Sequence, residues 1–316
     1  MAYNLGQFKT FLEESYRPGT VYEYLWRVRK FLDWLGGAPI KSVDQNTIVE
    51  YIRYLRQNGV RQTSTYAYAL KCYFEFIGRN DLSGKVPVRR ENVGKVPIWL
   101  PEPALKVLIA HISDERMKVL ATVMYDLALR VSEALMLNVG PLDSNIPWVD
   151  VQARLANVYR LKTKSYPFNV LPMSGWACKV VEGYIAKNGI GYGMPLFTTK
   201  PYMPWMKGGG RMSDSEASYL WRNVRKAFNL PEQFTLHCLR HSRLTWKAVE
   251  GETIIDISKF AGHSSTSPTL IYTHLAQQFL SKPEVILEPF RQCTLYDRMI
   301  KGVMKWRDTY YMRQAY

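Results

Sequence analysis

The sequence predicts a mainly α-helical protein with one small antiparallel β-sheet, an α+β chain in two folded parts. Three observations carry that prediction. Residues 1–82 place apolar side chains at three- and four-residue spacing, without strand-like alternation. The run D-L-S-G-K-V-P-V-R-R-E-N-V-G-K-V-P-I-W-L-P-E-P then breaks the pattern with prolines, glycines and basic residues, before helical spacing resumes near Glu102. Three short segments of alternating or β-branched character follow between residues 146 and 172, set among helices.

With 316 residues, the chain is long enough for two cores. We divide it into a helical domain over 1–82, a basic linker over 83–101, a second domain over 102–280 and a tail over 281–316. In the first domain a helix carries Phe8, Phe11 and Leu12. A second opens on a capping box of Thr20 with Glu23, runs through Val21, Leu25, Val28, Leu32 and Leu35, and stops at Gly36-Gly37. Asp44 or Asn46 caps a third containing Ile48, Ile52 and Leu55, and T-S-T-Y-A-Y-A-L-K-C-Y-F-E-F-I-G forms a fourth. Arg27, Arg29, Lys30, Arg53, Arg56 and Lys71 fall off the apolar stripes; taken singly, each reads as solvated surface. The second domain begins with a helix through Leu108 and another from Met117 to Asn138 that includes Arg130 and Glu133. The segments I-P-W-V-D-V-Q, A-N-V-Y-R-L-K and P-F-N-V-L-P form a three-stranded sheet, with Lys162 and Lys164 in the turn before the last strand. Helices follow over about 176–187, 214–228, 237–249, 253–260 and 268–280, with Pro268 in the first turn of the last.

Charge narrows the function. The net +15 is spread along the chain: 15 basic against 9 acidic residues in 1–100, 20 against 14 in 101–280, and 7 against 4 in 281–316. A polyanion gripped by both domains fits this better than a detachable basic tail does. No apolar run reaches the ~18 residues of a membrane span, and M-A-Y-N-L-G-Q-F-K-T lacks a signal peptide's apolar core. Cys72, Cys178, Cys238 and Cys293 form no C-x-x-C pair, so a reduced, cytoplasmic protein without a cysteine-built zinc site is expected.

Four of the five histidines lie between Thr235 and His274, in T-L-H-C-L-R-H-S-R-L-T and F-A-G-H-S-S-T-S-P-T-L-I-Y-T-H. His237 and Arg240 are three apart on one helix face, with His241 on the same side. An arginine fork beside a histidine suits a phosphate, and cations near a tyrosine favour its phenolate as a nucleophile. Each group has a bland reading too. Arg130 can simply pair with Glu133, Tyr272 is one of 21 tyrosines, and two lysines in a hairpin turn serve solubility. H-C-L-R-H lacks the glutamate of H-E-x-x-H and sets a cation between its histidines, which argues against metal.

In ordered combination these residues resemble the tyrosine recombinase (phage integrase) family over most of the chain. The family's first arginine matches Arg130 in L-R-V-S-E, its H-x-x-R matches His237 to Arg240, its G-H-S matches Gly262-His263-Ser264, and its tyrosine matches Tyr272 in Y-T-H. The hairpin lysine is either Lys162, favoured by the K-T-K context, or Lys164, favoured by the spacing to Pro172. Ala128 stands where a glycine usually precedes L-R, and Ala261 where a leucine usually precedes G-H. The resemblance implies a core-binding domain, a linker and a catalytic domain. It implies metal-free, cofactor-free strand transfer through a 3′-phosphotyrosine on Tyr272, with Arg130 and Arg240 on the phosphate, His237 and His263 assisting, and a lysine protonating the 5′-oxygen. The implied partners are double-stranded DNA carrying recombination sites, three further copies in a tetramer on two sites, and accessory bending or directionality proteins. Leu287, Phe290, Leu295, Met299 and Trp306 in the tail are candidates for packing into a neighbouring protomer. Two other functions fit the same fold: a DNA-binding protein that does not cleave, and a topoisomerase-like relaxing enzyme.

Overall fold

The structure is a computed structural model. It describes residues 5–60, 62–87, 96–161, 167–199, 210–263 and 265–314. It comprises two units, Met1–Lys95 and Val96–Tyr316.

The first unit consists of helices α1 (Leu5–Glu13), α2 (Pro18–Trp34), α3 (Gln45–Gln57), α4 (Thr63–Phe76) and α5 (Asn80–Ser83). Apolar spacing sets which faces are buried. Phe8 and Leu12 of α1, Val28 and Phe31 of α2, Ile48 and Ile52 of α3, and Leu70 and Phe74 of α4 are all buried, whereas Phe11 stays 37% exposed. Helix α2 starts earlier than the Thr20 capping box implies. Pro18 takes the first helical position, where its fixed φ and missing N–H cost nothing, and Thr20 lies within the first turn. Asp44, not Asn46, caps α3: its carboxylate accepts from the backbone N–H and the hydroxyl of Thr47.

The second unit holds α6 (Glu102–His111), α7 (Glu115–Asp126), α8 (Val131–Leu135), strands β1 (Asn138–Val139), β2 (Trp148–Asp150), β3 (Leu155–Tyr159) and β4 (Phe168–Pro172), then α9 (Gly175–Asn188), α10 (Asp214–Phe228), α11 (Leu236–Val249), α12 (Ile254–Ala261), α13 (Leu270–Ser281), α14 (Pro283–Leu287) and α15 (Tyr296–Gln314). Strands β2, β3 and β4 pair antiparallel as the alternation predicts, in register Trp148↔Asn157 and Asn157↔Val170. The sheet is four-stranded and mixed rather than three-stranded, because β1 pairs parallel to β2. Two residues are too few to show a period in sequence.

Two further expectations are corrected. The helix from Met117 to Asn138 is broken: α7 ends at Asp126, and Ala128 turns the chain with φ 48°. That left-handed turn costs an alanine about 1–2 kcal/mol, which explains why glycine suits the position. Pro268 lies not in α13 but in a preceding 3₁₀ turn, Ser267–Thr269. In the tail, Leu287, Phe290, Leu295 and Met299 are buried in the core of the second unit, and Trp306 packs at a tilt against Trp246 and Phe279.

Candidate active site

The break after α7 creates the site. With the chain turned at Ala128, Arg130 becomes the N-terminal flanking residue of α8 instead of a helix-interior side chain. Glu133, one turn later, folds back: its Oε2 accepts the Arg130 backbone N–H at 3.0 Å and its Oε1 the Arg130 guanidinium at 2.6 Å. Glu133 has no solvent exposure, and two more guanidinium groups face it. Arg160, at the end of β3, reaches Oε2 at 3.2 Å, and Arg240 of α11 stands 3.8 Å from the same oxygen. Burial drives the Glu133 carboxyl toward protonation, but Arg160, the Arg130 N–H, Arg130 and Arg240 together hold it below its usual value.

Arg240 is the centre of this cluster. It donates to the carbonyls of Ala128 and Ala261, and its Nη2 lies 3.1 Å from His263 Nε2. It therefore ties the Arg130 turn to the end of α12. There Gly262 caps α12 with φ 66°, and His263 Nδ1 shares a 2.9 Å hydrogen bond with the Thr269 hydroxyl. Burial first, then Arg130 and Arg160, lowers the Arg240 pKa to about 10, which leaves it charged at neutral pH. Burial and the three arginines likewise push His263 down to about 4.

Tyr272 lies on α13 with only 3% exposure. Its hydroxyl shares a 3.0 Å hydrogen bond with Nδ1 of His241, the residue after Arg240 on α11. The nearby cations favour the phenolate, as expected, but they are not the largest influence on it. Arg240 and Arg130 do pull the phenol's pKa down, but burial outweighs them and the net shift is upward. Tyr272 is thus stored as a neutral phenol. Its partner is also neutral: burial, then His237, Arg240 and His263, push His241 down to about 3. The His237 ring stands edge-on to His241 at 4.6 Å between centroids, and His237 itself is exposed.

The structure thus gathers Arg130, Arg240 and His263 around Glu133 and joins Tyr272 and His237 to them through α11. Lys162 and Lys164 lie outside the described residues, as does Ser264. The sequence reading placed His241 on the right face without giving it a partner, and it passed over Arg160 inside an apparent strand. The signal for Arg160 was a charge among β-branched and aromatic neighbours. Among the described residues, no three His, Cys, Asp or Glu side chains gather as a metal site. The positive charge comes from guanidinium groups.

Comparison with known proteins bears directly on this arrangement. A model of the phage integrase family matches residues 99–278, more than half of the chain, and one of the phage integrase N-terminal SAM-like domain matches residues 5–80. The chain belongs to the phage integrase family. Its relatives include tyrosine recombinase XerA of Thermococcus kodakarensis, 25% identical over 88% of this chain and 93% of that protein. Tyrosine recombinase XerD of Halalkalibacterium halodurans is 22% identical over 87% and 93%. Among solved structures, XerH recombinase bound to a palindromic difH substrate shares the fold with a TM-score of 0.65 at 18% identity, covering 91% of this chain and 86% of that one. A lambda integrase dimer on a COC′ core site gives 0.64 at 15% identity, covering 85% and 75%. This family member is a site-specific tyrosine recombinase, an enzyme that cleaves and rejoins DNA through a tyrosine intermediate.

Proposed function

We propose that Tyr272 is the nucleophile of this recombinase and that Arg130 and Arg240 hold the scissile phosphate. In the cleavage step the Tyr272 oxygen bonds to phosphorus, the bond to the 5′-oxygen breaks, and that oxygen leaves with a proton from Lys162 or Lys164. Return attack by a 5′-hydroxyl reverses the step, so bond energy is conserved and no nucleotide is consumed.

The observation that carries the assignment is the charge balance around Glu133. Three guanidinium groups share one carboxylate, a net charge of +2 fixed before substrate arrives. A transferring phosphoryl group gathers about two negative charges, which such a preorganised cluster stabilises more than the singly charged ground state. His237, exposed beside the cluster, can donate to the same oxygens, and His263 assists by accepting from Arg240 and holding it in place. Because Tyr272 starts as a neutral phenol on His241, attack requires that its proton pass to solvent as the oxygen bonds to phosphorus.

DNA carrying two recombination sites, a tetramer of this chain and accessory bending or directionality proteins complete the reading, and movement of a mobile element suits it. A nicked suicide substrate tests the chemistry. Wild type is expected to accumulate a covalent protein–DNA band in excess EDTA, and Tyr272→Phe none; an adduct retained in Tyr272→Phe removes Tyr272 from this role.

A further inference from the structure

Arg160 is a cation with no solvent exposure, so it cannot touch DNA in this arrangement. It sits where the β3–β4 pairing ends, its backbone N–H donating to the Pro167 carbonyl. Its guanidinium makes two contacts: Nη1 to Glu133 Oε2 at 3.2 Å and Nη2 to the Phe260 carbonyl. Arg240 donates to the next carbonyl, that of Ala261. Two successive carbonyls at the end of α12, which have run out of intrahelical donors, are therefore each held by an arginine that also faces Glu133. Gly262 closes over the Arg160 stem so tightly that an added Cβ would lie 3.0 Å from Cγ and 3.1 Å from Cδ. A side chain at residue 262 would thus press on the arginine stem and require it to shift by a few tenths of an ångström.

These contacts join three segments that have no sequence proximity. Glu133 holds Arg130 at the start of α8, β3 leads directly into 162–166, and Phe260 lies three residues before His263. We infer that Arg160 is a positioning residue for phosphate transfer: by clamping Glu133 and the Phe260 carbonyl at once, it fixes Arg130 and His263 relative to Arg240. This rests on the roles given above to Tyr272, Arg130 and Arg240. The clamp also occupies one oxygen of Glu133, so that partly exposed Arg130 keeps N–H groups to offer a phosphate. Losing it leaves Glu133 buried with Arg130 and Arg240 as its remaining cations and His263 nearby, and its proton affinity rises. A protonated Glu133 no longer orients Arg130.

The test uses the full chain carrying Arg160→Met or Arg160→Lys, with single-turnover cleavage of a nicked substrate measured across pH beside DNA affinity and Tm. Arg160→Met is expected to slow cleavage ~100-fold, as for a misplaced reacting group, at unchanged affinity. It also gains an acid limb absent from wild type: cleavage falls as pH drops through the raised Glu133 pKa. Arg160→Lys keeps the charge but not the fork, so it regains part of the rate without the acid limb. Wild-type cleavage by Arg160→Met, or a loss equal at every pH and matched by weaker DNA binding, overturns the proposal. Should Arg160→Met not fold, Arg160→Lys decides: a reduced rate at unchanged affinity supports the clamp, and a wild-type rate overturns it. Absence of any adduct with wild type is a different failure, that of the Tyr272 assignment.

Discussion

Two sets of cations, one from each unit, are held in opposite ways. In the first, Arg29, Lys30 and Arg53 stand exposed on helix surfaces, with Lys30 resting over the Trp26 ring at 5.8 Å. In the second, Arg160 and Arg240 are 0% and 1% exposed and are bonded to carbonyls and a carboxylate. An exposed cation can follow a phosphate backbone wherever it runs, and salt screens it. A buried one is already in place, and costs much to strip of its partners. On the roles proposed above the second kind serves chemistry, and we propose that the first serves attachment.

The sharpest break of this comparison is at Arg240. Arg240→Ala is expected to lower single-turnover cleavage by about 10²–10³-fold, the usual loss of a preorganised charge donor, while a gel-shift assay finds DNA affinity little changed. Equal losses in both would erase the distinction. Next in size is stability. Glu133→Gln leaves three guanidinium groups without their carboxylate, and thermal unfolding without DNA should show a loss of about 3–5 kcal/mol, as for any buried ion pair broken on one side.

A smaller effect concerns pH. His241 and His263 resist protonation until about pH 3 and 4, whereas unfolded histidine takes a proton near 6.5. The unfolded chain therefore binds more protons between those values, and Tm should fall as pH drops from about 6.5 toward 4. Asparagine at both positions should flatten that part of the curve. The smallest change belongs to the exposed cations. Arg29→Ala and Arg53→Ala should each reduce the dependence of log affinity on log salt by about one, measured by titration at several salt concentrations.

The same contrast governs what could be read from sequence. The helices of the first unit were legible because burial follows period: Val28 and Phe31, or Ile48 and Ile52, recur at helical spacing and are buried. Most of the site's residue types were legible because Arg130, His237, Arg240, His263 and Tyr272 stand in recognisable order. Geometry was not. A period cannot show that Ala128 turns the chain left-handed, that Glu133 is shared by three arginines, or that Arg160 runs beneath Gly262. Each depends on segments far apart in sequence. The cationic neighbours of Tyr272 were visible in the sequence, whereas its burial is a property of the fold.

The central claim is that one phenolic oxygen carries the cleaved strand. Mass spectrometry of the trapped wild-type adduct, after protease and nuclease digestion, tests it most directly. A 3′-nucleotide on the peptide containing Tyr272 is the result expected; the same mass on a peptide bearing another of the 21 tyrosines would contradict the account.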